Sequence, residues 1–141
     1  MVRLQPEPIR AEDLVASVAA DEVGAVAIFL GTVRSHSGGR RVLYLDYEAY
    51  KGMAETEMAR IEREALERFG VSRIAVVHRS GRLAIGQVSV GVAVASAHRA
   101  HALDACRFVI DELKRTVPIW KKEHFEGGAV WVEGGGGTPA R

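Results

Sequence analysis

The residues of this chain whose types and spacing suit chemistry are cations near the ends of predicted elements: Arg34, His98, Arg99, Lys114, Lys121 and Lys122. His98 and Arg99 follow a run in which Val88, Val90, Val92 and Val94 alternate with small residues, the period of two of a strand with one packed and one thin face. Leu103, Cys106, Val109, Ile110 and Leu113 then recur at three- and four-residue spacing, which predicts an amphipathic helix capped by the Ser96 hydroxyl. His98 and Arg99 fall in its first turn. Free backbone donors there favour an anion, and a guanidinium with an imidazole strengthens such a site for phosphate. A merely solvated polar pair opening a helix fits the same residues equally well. Lys114 falls in the last turn before Pro118 closes the helix, where the macrodipole alone accounts for a cation. Arg34 emerges at the rim of an apolar run, and Lys121-Lys122 also reads as a wet surface pair.

Those cations need a scaffold, and 141 residues are enough for one domain with its own core. The pattern predicts an edge strand at 4–9 interrupted by Pro6 and Pro8, and a helix at 11–19 with Leu14, Val15 and Val18 inward. Residues 24–33 read as a central strand buried on both faces. Residues 35–39 read as a mobile polar loop, and 42–48 as a strand. Ala54, Met58, Ile61, Ala65 and Phe69 mark a helix ended by Gly70; 74–78 and 129–132 are further strands, with a compact connection around Ser80, Gly81 and Gly86. Strands and helices mix without regular alternation, so the expected class is α+β, a single domain over 1–133 with a mixed or antiparallel sheet packed by helices. A flexible Gly-rich tail is expected at 134–141.

Composition removes several functions. Lys plus Arg number 19 against 18 Asp plus Glu, so no broadly basic surface awaits nucleic acid, and no basic stripe interleaves with aromatics. A single cysteine forms no internal disulfide or thiolate zinc cluster and fits a reducing cytosol; Cys106, on the apolar stripe, reads as an inert core residue. His36, His78 and His101 with Glu48 lack metal-ligand spacing, so no metal is expected. No Gly-rich phosphate loop or nucleophile elbow is present. The first ten residues lack the apolar core of a signal peptide, and no apolar run reaches spanning length, so a soluble cytoplasmic protein without membrane contact is expected.

The segments FLGTVR (29–34), YEAYKGM (47–53), HRSGRLAIGQ (78–87), SAHR (96–99), LKRTVPIWKKE (113–123) and WVE (131–133), in this order, resemble the MoaE family, the large catalytic subunits of molybdopterin synthase. The resemblance implies an α/β-hammerhead-like fold and a sulfurtransferase of molybdenum cofactor biosynthesis. Such an enzyme installs two dithiolene sulfurs on a cyclic pyranopterin monophosphate. The sulfur donor it implies is a small ubiquitin-like carrier of MoaD type whose C-terminal Gly-Gly ends in a thiocarboxylate, so neither a cofactor nor a reactive cysteine is required. By likeness, Lys114 and Lys121 are the catalytic lysines. Arg34, His98 and Arg99 contact the substrate, with Thr32, Val33, Lys122 and Glu123 flanking them. Gly134 and Gly135 stand where relatives carry a basic residue, a departure from the pattern. A non-catalytic module that only holds an anion remains the alternative. Arg99 and Lys114 are fifteen residues apart, roughly 22 Å along one helix. If both serve one pocket, His98 and Arg99 come from a second copy, which implies a two-fold homodimer with composite sites, carrying two carriers as a heterotetramer.

Overall fold

The alternating valines form β7 (Val88–Ser96), an inner strand of a four-stranded mixed sheet. In this computed structural model, which describes residues 1–133, β7 lies between β5 (Arg73–Arg79) and β2 (Ala25–Thr32), antiparallel to both, and β1 (Val2–Gln5) pairs parallel with β5 at the edge. The tail expected at 134–141 lies outside the described residues. Val90, Val92 and Val94 enter the main core, while Ala93 and Ala95 face Leu14 and Val18 of α1 (Ala11–Val18). The thin face of β7 is therefore covered. Gly91 is small for the same reason, since a Cβ there would lie 2.4 Å from Leu14 Cδ1.

β2 corrects an expectation. It is an edge strand, and Val26, Ile28, Phe29 and Leu30 are each more than one-third exposed. A continuous apolar run reports that something covers it, but does not distinguish the chain's own core from another surface. Val15 and Leu103 are likewise exposed, although both fit the helical stripes.

α2 (Lys51–Phe69) ends at Gly70, whose φ of 63° is the left-handed cap position, and packs with α3 (Arg99–Thr116) on the main core. Ser96 does not cap α3: it is the buried end of β7, and His98 is the N-cap, without a side-chain cap hydrogen bond. A second sheet closes the core from the other side. Its long strand β4 (Arg40–Ala49) pairs on one edge with β6 (Gly81–Ala84) and on the other with β8 (Ile119–Phe125), which pairs in turn with β9 (Gly128–Glu133). The expected polar loop contains β3 (His36–Ser37), a two-residue hairpin arm turned through Gly38 and Gly39, both at positive φ. Neither β6 nor β8 is expected from sequence. β6 was hidden in a Gly-punctuated connection, and in IWKKEHF the charged residues that point inward break the apolar alternation.

His78 sits where the two sheets meet, in a row running Leu4, His78, Val90, Gly31 across the first sheet. Its Nδ1–H donates to the Arg79 carbonyl at 2.7 Å, and Tyr47 of β4 meets its ring edge-on at 5.1 Å. Burial, helped by the charge of Lys114, pushes the imidazole pKa down to about 4 from 6.5. The folded pKa lies below the unfolded one, so the unfolded chain takes up the proton first. This contribution is whole above pH 6.5 and is lost as the pH falls toward 4, amounting to about 3 kcal/mol at 1.36 kcal/mol per unit. Urea unfolding at pH 7 and pH 4.5 should show His78→Asn losing much less stability on acidification than the wild type. Equal losses would mean that His78 is not the titrating group.

Candidate active site

Three chain segments bring the candidate residues together. At the end of β2 a register shift between Gly31 and Thr32 breaks the ladder, and the next residue is pinned by backbone bonds: Val33 N–H donates to the Gln87 carbonyl at 3.0 Å, and Gly86 N–H donates to the Val33 carbonyl at 2.8 Å. Val33 is thereby buried and Arg34 left exposed at the rim. The second segment is the last turn of α3, ended by Val117 and Pro118, which sets Lys114 at the same rim. The third is β8. Its register pairs Tyr47 with Lys121 and Leu45 with Glu123, and the period of two turns Lys121 and Glu123 inward and Trp120 and Lys122 to the other face.

Thr32, Val33, Arg34, Lys114, Lys121 and Glu123 all line one cavity of about 170 Å³. Lys122 does not, lying instead 5.5 Å over the Trp131 ring on the outer face of the second sheet. His98 and Arg99 are at the far, N-terminal end of α3. Tyr47 and Ser89 also line the cavity, and neither stands out by type or spacing in the sequence. Tyr47 belongs to the YEAYKGM segment, but only the pairing of β4 with β8 reveals that it faces Lys121.

The two lysines have different surroundings. Lys121 Nζ lies 3.5 Å from Glu123 Oε2, and Glu123 is only 5% exposed, so its charge is directed at this lysine. Lys114 has no carboxylate partner among the described residues. Solvent reaches it inside the cleft, yet the protein packed around it, together with the charge of Lys121, holds its ammonium below the usual lysine range. Arg34 and Lys121 can hold an anion, while Lys114 can exchange a proton. Cys106 contributes nothing here: it is buried on α3, and burial pushes its thiol up to about 11.

A separate open groove of about 640 Å³ is lined by Tyr47, Glu48, Ala49, Tyr50, Ser80, Trp120 and Trp131, with both tryptophans on the outer face of the second sheet. Tyr47 alone lines both spaces.

A family profile described as MoaE protein matches residues 4–116. The molybdopterin synthase catalytic subunit of Halalkalibacterium halodurans is 45% identical over 129 residues, spanning 92% of this chain and 83% of the relative. That of Pyrococcus abyssi is 41% identical over 137 residues, 97% of this chain and 93% of its own. The crystal structure of molybdopterin synthase from Staphylococcus aureus superposes with a TM-score of 0.88 at 40% identity, covering 92% of this chain and 94% of that one.

The electrostatic coupling of the two lysines is directly measurable. Replacing Lys121 with Gln removes the like charge beside Lys114, so the Lys114 pKa should move upward toward its ordinary value. A Lys114 side-chain NMR titration without substrate checks this, and an unmoved Lys114 would show that the pair is not coupled.

Proposed function

The chain belongs to the MoaE family, and from that premise we propose that it is the catalytic large subunit of a molybdopterin synthase. It converts cyclic pyranopterin monophosphate (precursor Z) to molybdopterin, and both dithiolene sulfurs come from the C-terminal thiocarboxylate of a small carrier protein. The relatives' designation as catalytic subunits itself implies a further subunit. The observation that carries the reading is the cavity in which Arg34, Lys114 and Lys121 converge without a reactive thiol. Opening a cyclic phosphate and adding sulfur to adjacent carbons needs fixed cations for the phosphate and for developing oxyanions, and a group that takes and returns protons. Arg34 and Lys121 fill the first role. Lys114, inclined to lose its proton until the anionic substrate arrives, fills the second. Thr32 and Val33 form the wall, and Glu123 holds Lys121 in place through their ion pair. Lys122 lies on the outer face, over the Trp131 ring and away from the cavity. We place the reaction in the cytoplasm, in keeping with the single cysteine; among the described residues no helix is long and apolar enough to cross a membrane.

His98 and Arg99 enter this scheme from a second copy. α3 runs unbroken from Arg99 to Thr116, so one chain cannot bring Arg99 and Lys114 to one small substrate. The free edge of β2 supplies the route. Gly24 N–H donates to the Ser96 carbonyl at 3.0 Å, which ties the start of β2 to the start of α3, whereas Arg34 follows its end. Pairing β2 with the β2 of a second copy, antiparallel about a two-fold axis, covers its exposed apolar residues and sets each Arg34 end beside the other copy's His98 and Arg99. Two such sites, each served by one carrier, make a heterotetramer.

Lys114→Ala should lower product formation from precursor Z and thiocarboxylated carrier by about 10²–10⁴-fold, with thermal stability nearly unchanged. Cys106→Ala should keep full sulfur transfer at a stability loss of about 1 kcal/mol. A folded but inactive Cys106→Ala enzyme would refute the partner-donor mechanism. For the shared site, mixing inactive Arg99→Ala with inactive Lys114→Ala under conditions of subunit exchange should restore part of the activity, because one of the two pockets in each mixed dimer is intact. Exchange without recovery would overturn the composite arrangement.

A further inference from the structure

We propose that Ser89 is a positioning residue of the lysine cavity: its hydroxyl bridges the Gly31 carbonyl of β2 and the Tyr47 hydroxyl of β4, and so fixes the span between Arg34 and Lys121 across which the anionic substrate is held. This rests on the functional reading above and adds to it the side chain that sets the distance between its two fixed cations.

Those cations come from different sheets. Arg34 follows β2 of the first and Lys121 lies on β8 of the second, so no strand ladder sets one against the other. Between them stands Ser89. β2 pairs Gly31 with Val90 and Thr32 with Val88, and β5 pairs with β7 only as far as Val90, which leaves Ser89 out of both ladders as the extra residue of a bulge. It is nevertheless only 4% exposed, and it lines the cavity. A residue freed from the ladder can turn its side chain out of the regular alternation, which is why bulges recur beside functional sites.

The Ser89 hydroxyl has two partners. It donates to the Gly31 carbonyl at 3.2 Å and is hydrogen-bonded to the Tyr47 hydroxyl. A carbonyl only accepts and a serine carries one proton, so the second bond is donated by Tyr47, and the bridge runs from Tyr47 through Ser89 to Gly31. Burial holds the phenol above the ordinary tyrosine range, so that donor keeps its proton at working pH.

Each end of the bridge reaches a cation. Tyr47 is the register partner of Lys121. Gly31 lies three residues before Arg34, and no side chain fits there, since a Cβ would lie 2.7 Å from Val90 Cγ1. Beyond Gly31 the backbone is fastened at every second residue: Val33 to the turn before β7, and the Ser35 carbonyl to the Val42 N–H at 2.8 Å. Those two fastenings are backbone bonds. The one at Gly31 is made by a side chain, and of the three it is the one that continues to the residue opposite Lys121.

Ser89→Ala removes the bridge at its centre, and Tyr47→Phe removes it from the β4 end without altering β7. Each should raise the KM for precursor Z about 5-fold, the scale of one neutral hydrogen bond, and weaken the binding of inorganic phosphate, followed by NMR, to the same extent. The kcat should stay nearly unchanged, because Lys114 still exchanges its proton. The double variant should be no worse than either single one. In an Arg34→Ala background Ser89→Ala should lower kcat/KM no further, since the cation that the bridge positions is gone. Losses that add in the double variant or persist in Arg34→Ala, or an unchanged KM with only the thermal midpoint lowered, make Ser89 a packing residue and overturn this assignment alone. A wild type that binds phosphate but forms no product from precursor Z and thiocarboxylated carrier overturns the functional reading, and the phosphate affinities of the variants then decide the role of Ser89 separately.

Discussion

β8 pairs antiparallel with β4 along its length, and that ladder turns a charged strand face toward the end of a helix. Isolated, IWKKEHF is a weak strand; held between β4 and β9, it has no freedom to choose which residues point inward. Ile119, Lys121 and Glu123 share one face with Leu45, Tyr47 and Ala49 of β4, and that face meets the first sheet where β2 and β5 end and β7 begins. A one-residue slip would exchange Lys121 for Lys122 and bury the wrong cation.

Within the cavity, one buried carboxylate differentiates two like charges. Glu123 pairs with Lys121, whereas Lys114 has no such partner among the described residues, and burial, reinforced by the charge of Lys121, lowers its pKa from the ordinary lysine value. No unusual geometry is required. A chemistry that draws its sulfur from another protein needs fixed positive charge, one exchangeable proton and a way in for the donor, and Cys106, buried and held protonated, stays outside it.

α3 acts as a ruler. Its length separates Arg99 from Lys114 by more than a small substrate can bridge, and β2, tied to the start of α3 at Gly24 and leading to Arg34 at its other end, offers an apolar edge of matching length. The edge is a liability in a single chain; in the proposed pair, the contact that hides it would also bring opposite ends of the two copies together.

The sequence by itself determined much of the frame: the β7 alternation, the helices ended by Gly70 and Pro118, the inert Cys106, and the motif set from FLGTVR to WVE that marks the family. These are local properties, carried by period, capping chemistry and residue identity within a few positions. Tertiary structure decided the rest. Whether the apolar run of β2 is central or at an edge, whether Val15 and Leu103 face inward, and whether 35–39 is a loop or a hairpin all depend on what packs against them from distant parts of the chain. The same holds for the site. Lys121 and Lys122 are indistinguishable as neighbours in sequence, and Tyr47 is one aromatic among several. Only the pairing of β4 with β8 turns one lysine toward the cavity and the other away, and sets the tyrosine opposite the first, because the face a strand residue occupies is fixed by its partner strand and not by its own type.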